Sequence, residues 1–201
     1  MATRYLPLAL RHSPTPRIEH FALLAGLDAS IRGMLISTMP LVVYDALGDA
    51  QTTSLVFFLA GIVALVWGLM VPWATSKLPR RWVYTGGVAL YLLGNALGAV
   101  GTVWAVPLAL MCNAMATVTI FVCLNAYVLD YVERVDLGRS QSTQMAYAAT
   151  AWTLGPMSGV WLYHQHHALP FLAAGAFALV LMVSFWVLRL GNGKQIQRAK
   201  G

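Results

Sequence analysis

Asp28 and Arg32 are an acid and a base four residues apart within an apolar stretch, where charged residues are rare. In a helix this spacing puts both side chains on one face, about 6 Å apart along the axis. An Arg at the centre of a membrane-spanning helix costs roughly 2.5–3.5 kcal/mol on insertion scales, so it should face protein or water and meet a counter-charge. Three interpretations follow: a structural ion pair, an Asp28 that is solvated near the membrane surface, or a site where Arg32 binds an anionic group and Asp28 balances it or carries a proton.

Polar side chains in other apolar stretches are candidates to line the same cavity. With Arg32, the candidates for contact with a bound solute are Asn113 and Gln144. Asn95, Asn125 and Tyr147 have the same polar character. Each of these groups has a simpler alternative, which is a hydrogen bond to a neighbouring helix.

The positions of the acidic, basic and histidine residues also disfavour enzyme activity and metal binding. The intramembrane acid and base share one helix, whereas a catalytic nucleophile and base would have to meet from different helices. His164, His166 and His167 lie in one short connection with no carboxylate or cysteine nearby, a poor set of metal ligands. We therefore expect no enzyme activity, no metal and no cofactor.

The elements that position these residues are long apolar runs. The 201 residues are 59% hydrophobic and 10% charged, whereas soluble domains average about 25% charged. A helix needs about 20 mostly apolar residues to cross a bilayer. Six segments qualify: 20–44, 53–75, 82–101, 103–129, 143–163 and 168–190. The sequence thus predicts an all-α membrane protein in contact with lipid, with a tail at 1–19, a six-helix bundle at 20–190 and a polar end at 191–201.

The basic residues predict the orientation of these helices. Of the 13 Lys and Arg residues, all except Arg32 lie in the N-terminal tail, the second and fourth connections or the C-terminal end. They are Arg4, Arg11, Arg17, Lys77, Arg80, Arg81, Arg134, Arg139, Arg189, Lys194, Arg198 and Lys200. Because such residues stay on the cytoplasmic side, both termini are predicted to be cytoplasmic. The same rule explains the basic composition without a nucleic-acid partner.

Small residues mark two of the predicted helices as packing elements. The third carries Gly94 and Gly98, a spacing that lets helix backbones approach closely in lipid. The fifth carries Gly155-Pro156-Met157-Ser158-Gly159 among many alanines. Such smooth faces serve helix packing or allow helices to slide. Six spans also divide as three plus three, a layout found in transporters with inverted repeats.

Together these features resemble the N-terminal half of a major facilitator superfamily transporter. Lys77, Arg80 and Arg81 hold the basic positions of the family signature between spans two and three, while Pro72, Ser76 and Pro79 replace its first glycine, its acid and its second glycine. The stretch from Glu133 to Arg139 is similar to the family's approach to span five. Gly155-Pro156-x-x-Gly159 is similar to the span-five motif, whose full form is typical of drug–proton antiporters.

The resemblance implies a secondary transporter that moves a small solute by alternating access, with spans one and four lining the cavity. In that interpretation Arg32 contacts an anionic substrate and Asp28 is the proton-coupling residue, which suits proton-coupled export. The resemblance assigns conformational switching to two groups of residues: Lys77, Arg80 and Arg81, and Gly155, Pro156 and Gly159. We expect a bacterial plasma (inner) membrane.

The family has twelve spans and this chain has six. It is therefore expected to be a first half that pairs with a second six-helix half, either a missing C-terminal half or another copy, whether as a fragment, a truncated gene or a self-assembling half. The alternative is a non-transporting accessory or degenerate half-protein in which the Asp28–Arg32 pair is structural.

Overall fold

Within the residues that the computed structural model describes, 18–132 and 135–188, every regular element is an α-helix. The helices are α1 (Ile18–Leu47), α2 (Ala50–Lys77), α3 (Arg80–Val100), α4 (Ala105–Tyr131), α5 (Leu137–Gln165) and α6 (Leu169–Val187). Each helix contains the core of one predicted apolar segment, and most extend it by two to six residues. The all-helical prediction is confirmed. The charges at Glu133 and Arg134, and those of both chain ends, lie outside the described residues.

Five of the six helices are long and apolar enough to cross a membrane: α1, α2, α3, α4 and α6. Helix α5 has sufficient length, 29 residues, but it is less apolar. Its polar residues recur along the whole helix: Gln141, Ser142, Thr143, Gln144, Thr150, Thr153 and Ser158. A helix of this composition needs protein or water along part of its surface, because lipid satisfies no polar side chain.

The connections between helices are short and have defined caps. Asp49 caps α2, and its carboxylate accepts a hydrogen bond from the backbone nitrogen of Thr52 at 2.7 Å. This hydrogen bond stabilises the charged form and lowers the pKa of Asp49. Gly101 ends α3 in the left-handed conformation, with φ at 70°, where its N–H reaches the carbonyl of Leu97. Such tight ends fix how neighbouring helices enter the bundle.

The helices pack in the order α2, α4, α3, α6, α1, α5, and α1 also contacts α4. The most extensive contact is between α1 and α5. Aromatic side chains fill the core where α3, α4 and α6 meet: Tyr84 stacks on Phe185 at 4.1 Å between ring centroids, and Tyr127 lies 5.7 Å from Phe185. Helix α1 is thus surrounded on several sides, which is the environment that its two charges require.

Candidate functional site

Asp28 and Arg32 form the ion pair that their spacing predicts. Nη2 of Arg32 lies 2.9 Å from Oδ2 of Asp28. The side chain of Asp28 is 4% exposed and that of Arg32 is 28% exposed. Asp28 is therefore buried in protein, which is incompatible with the interpretation of a solvated surface acid. Arg32 is the more exposed member of the pair.

Two hydroxyl groups from other helices complete the surroundings of Asp28. The Tyr91 hydroxyl on α3 donates to Oδ1 of Asp28 at 2.9 Å, and it lies 2.8 Å from Oγ1 of Thr117 on α4. Tyr91 is fully buried. We call Asp28, Arg32, Tyr91 and Thr117 the polar network. It joins α1, α3 and α4 at mid-helix depth, where polar groups pair with one another because lipid offers no partner.

Arg32 also contacts α5. Its guanidinium carbon lies 5.5 Å from the ring centroid of Trp152, within cation–π range. Its Nε is buried and has no hydrogen-bond partner among the described residues. An unsatisfied buried donor costs about 1–3 kcal/mol or more when charged. Such groups are uncommon in folded proteins and call for an explanation, which a solute acceptor near Arg32 would supply.

The two amide candidates occupy different places. Asn113 is buried and donates to the carbonyl of Ala109 in its own helix at 2.8 Å, while its Oδ1 has no partner among the described residues. Its backbone carbonyl accepts from Thr117 at 2.9 Å, which connects it to the polar network. Gln144 donates to Oγ of Ser140 on α5 at 3.1 Å. Neither side chain hydrogen-bonds to the polar network.

The three cations of the second connection have three different surroundings. Arg80 forms an ion pair with Asp130 in the last turn of α4, and also reaches the carbonyl of Ala126 at 3.4 Å. Lys77 lies over the ring of Trp73, 4.1 Å from its centroid. Nε of Arg81 is buried without a partner among the described residues. Arg80 is therefore the member of this group that is paired with an acid of α4.

Gly33, Gly155 and Gly159 form what we call the glycine seam, a direct backbone contact between α1 and α5. A Cβ atom on Gly155 would lie 2.6 Å from the carbonyl carbon of Gly33, and one on Gly159 would lie 2.4 Å from the carbonyl oxygen of Met34. A Cβ on Gly33 would lie 2.7 Å from the carbonyl oxygen of Ala151. These distances exclude any side chain without a shift of backbone. The half-buried Pro156 sits within this contact segment of α5.

A groove of about 660 Å³ runs beside the seam between α1 and α5. Its lining is uncharged: Leu23, Gly26, Leu27, Ser30, Met34, Ala146, Tyr147, Thr150, Ala151, Leu154, Gly155, Ser158 and Phe177. The hydroxyls of Ser30, Thr150 and Ser158 all donate to carbonyls of their own helices. At about 100° per residue, the α1 residues of the groove lie on the side away from Asp28 and Arg32. The groove and the polar network are thus separate features.

Comparison with known proteins identifies the family. The sequence profile of the Major Facilitator Superfamily matches residues 21–200. The chain belongs to the major facilitator superfamily. No curated protein matches it. As a superfamily member with five helices apolar enough to span a membrane, it is a multi-pass membrane transporter in contact with lipid and a small-molecule substrate. Members of the superfamily are transporters rather than enzymes.

The sequence does not predict the part that three residues, Tyr91, Thr117 and Asp130, take in these contacts. Tyr91 and Thr117 lie in apolar segments without a charge to draw attention to them, although a buried tyrosine hydroxyl usually has a hydrogen-bond partner. The predicted fourth span ends at residue 129, so Asp130 falls in the connection after it, whereas α4 continues to Tyr131. The signal for Asp130 is an acid near the end of one predicted span and a group of basic residues in another connection. Pairing these opposite charges would predict its contact with the second connection.

Proposed function

We propose that this chain forms one six-helix half of a secondary transporter, with Asp28 and Arg32 in the pathway of the solute. The observation that carries the proposal is the polar network, an ion pair on α1 that hydrogen bonds connect to α3 and α4 at mid-helix depth, in a member of a transporter superfamily. Intramembrane charges are costly and usually mark substrate or ion pathways. The second wall of the pathway is a second six-helix half.

The packing of the six helices supports a three-plus-three arrangement. Exchanging α1, α2 and α3 with α4, α5 and α6 converts the α1–α5 contact into α4–α2 and the α1–α6 contact into α4–α3. The α3–α6 and α1–α4 contacts each map onto themselves. Two related triplets give this pattern. The basic residues of the second and fourth connections favour cytoplasmic termini, and we place the chain in a bacterial inner membrane.

We propose that Asp28 and an anionic group of the solute compete for Arg32. While Asp28 is ionised, it holds one side of the guanidinium. Protonation of Asp28 removes that charge, and a carboxylate or phosphate ester of the solute then becomes the better partner for Arg32. Proton binding and anion binding are coupled in this scheme, as proton-coupled transport requires. The span-five motif favours export, and in this scheme the proton leaves together with the anion because both bind the same state of the protein.

The remaining candidates keep proposed roles with different support. Asn113 is a proposed substrate contact because its Oδ1 has no hydrogen-bond partner in the described part of the chain, and Gln144 is a second one from α5. Lys77, Arg80 and Arg81 are proposed to serve conformational switching through contacts such as Arg80 with Asp130. Gly155, Pro156 and Gly159 are proposed to serve it by keeping α5 in register with α1.

Transport by the complete protein, this chain with its second half, tests the proposal. Proteoliposomes would be assayed for flux of a panel of organic carboxylates and phosphate esters. We expect Arg32→Ala to lower flux of the transported anion at least tenfold, equivalent to about 1.4 kcal/mol, and Arg32→Lys to retain more of it. Arg139→Ala, at an exposed arginine of α5, is the control and should leave flux unchanged. Normal flux in a well-folded Arg32→Ala protein would refute the assignment.

The accessory-protein alternative is tested by exchanging the two charges. A protein with both Asp28→Arg and Arg32→Asp retains an intrahelical pair but moves the cation by one turn. We expect it to fold and to lose transport. Retained transport would show that the pair is structural.

A further inference from the structure

The contacts beyond Asp28 form a row of four oxygen atoms. The row runs from Oδ1 of Asp28 to the Tyr91 hydroxyl, the Thr117 hydroxyl and the backbone carbonyl of Asn113, with spacings of 2.9, 2.8 and 2.9 Å. All three spacings suit O–H···O hydrogen bonds. The row contains only two hydroxyl protons, one on Tyr91 and one on Thr117, because a carboxylate and a carbonyl only accept. Three contacts therefore share two protons.

The ionised state of Asp28 fixes where these two protons point. The carboxylate oxygen accepts the Tyr91 proton, since a hydrogen bond to a charged group is the strongest available. The Thr117 proton must then point to Tyr91, because otherwise two oxygen lone pairs would face each other at 2.8 Å. The Asn113 carbonyl keeps its ordinary backbone hydrogen bond within α4.

The protonated state reverses the row. Oδ2 of Asp28 faces a donor of Arg32, so an added proton belongs on Oδ1, where it points to Tyr91. Tyr91 then donates to Thr117, and Thr117 donates to the Asn113 carbonyl. Three protons now fill three contacts. No proton passes along the row: the one proton gained comes from water, and each hydroxyl keeps its own proton and rotates.

We propose that Tyr91 and Thr117 act as positioning residues that report the protonation state of Asp28 to α4 by reversing this hydrogen-bond row. The proposal deepens the proposed function and rests on it for the coupling role of Asp28. A threonine that donates to the carbonyl four residues before it tends to bend its helix. Protonation on α1 is thereby converted into a change of backbone hydrogen bonding at Asn113, one of the residues that we propose to contact the substrate.

Few other groups compete for Asp28. Arg32 on its own helix, with Tyr91 and Tyr84 on α3, are the charged or titratable groups that interact with it among the described residues. From α4, Thr117 reaches Asp28 only through the Tyr91 hydroxyl. From α5, Trp152 contacts Arg32 rather than Asp28. The row is therefore the polar connection from Asp28 to α4 in the described part of the chain.

Infrared difference spectroscopy of the full chain in lipid nanodiscs, recorded while the pH is lowered, tests the row without any substrate. The carboxyl band that Asp28→Asn removes belongs to protonated Asp28. In Tyr91→Phe that band should move to higher frequency, because the carboxyl proton has lost its acceptor. In protein with isotope-labelled tyrosine, a tyrosine band should shift as the Asp28 band appears. Thr117→Val should abolish most of that tyrosine shift, and Thr117→Ser should restore it.

Several results would overturn the proposal. The proposal is wrong if the Asp28 band stays at the same frequency in Tyr91→Phe. It is also wrong if the tyrosine shift remains in Thr117→Val. A band that never appears while the protein stays folded also overturns it. Tyr44→Phe, at an exposed tyrosine of α1, is the matched control and should change neither band. Because these readouts need no transport, their failure is distinguishable from failure of the Arg32→Ala flux experiment.

Discussion

Helices α2 and α5 are nearly equal in length, 28 and 29 residues, and both leave most of their side chains exposed in the six-helix bundle. Their exposed surfaces differ in chemistry. On α2 the exposed side chains are large and apolar: Leu55, Phe58, Leu59, Ile62, Leu65, Val66, Leu69, Met70 and Trp73. On α5 polar groups interrupt the apolar ones: Gln141, Ser142, Thr150 and Thr153 are all exposed.

The two helices are also attached differently. Helix α2 buries Ala60 and Val71 and adds a hydrogen bond from Trp67 to Thr119 of α4 at 2.9 Å. Helix α5 buries only small or polar residues, namely Ser140, Gln144, Gly155 and Gly159. It is therefore held mainly by backbone contact with α1. Similar exposure therefore does not imply the same surroundings. The apolar surface of α2 is suited to contact with lipid, whereas the polar groups on the surface of α5 require protein or water.

A matched pair of charged substitutions tests this difference with the largest expected effect. Leu65→Lys puts a charge at the middle of α2, on a side chain that is 66% exposed, and should lower the free energy of unfolding by about 3 kcal/mol. Thr153→Lys, at the middle of α5, should change it by no more than about 0.5 kcal/mol in the complete protein, because that surface faces protein or water. Unfolding in mixed micelles measures both values. Equal losses would mean that α5 faces lipid as α2 does.

A matched pair of glycine substitutions sharpens the difference in attachment. Gly155→Ala forces a Cβ into the backbone of α1 and should destabilise the protein by about 1–3 kcal/mol. Gly61→Ala on α2 meets no atom within 4 Å, so the higher helix propensity of alanine should make it neutral or stabilising by up to about 1 kcal/mol. Thermal unfolding in nanodiscs gives the comparison. Two variants with the same melting temperature would contradict the glycine seam.

The smallest effect is expected near the C-terminal end of α2, where Arg80, the first residue of α3, forms an ion pair with Asp130 of α4. This partly exposed pair should contribute about 0.2–1 kcal/mol. A double-mutant cycle of Arg80→Gln and Asp130→Asn isolates that coupling from other contacts of Asp130. Lys77→Gln is the control, because Lys77 lies over Trp73 and should show no coupling to Asp130. A coupling energy of zero would show that the Arg80–Asp130 pair does not stabilise the protein.

Much of the fold followed from the sequence, and the site followed in part. The apolar runs located all six helices because a bilayer imposes a minimum length on each one, and the i, i+4 spacing placed Arg32 against Asp28 because both belong to one helix. Tyr91, Thr117 and Asp130 were not predicted to join these charges, since contacts between helices depend on how the helices rotate about their axes. Periodicity could not supply that rotation for helices that are apolar on nearly all sides. Gly155 and Gly159 were identified as packing residues, but their partner helix was not.

The contact between α1 and α5 has a mechanical consequence. The two helices meet at Gly26 and Tyr147, along the glycine seam, and at the hydrogen bond that Tyr163 donates to Asp45. Two helices in contact at several points along their length resist tilting relative to each other, because a packed interface transmits strain. We therefore expect a tilt of α5 to carry α1 with it, and with α1 the residues Asp28 and Arg32.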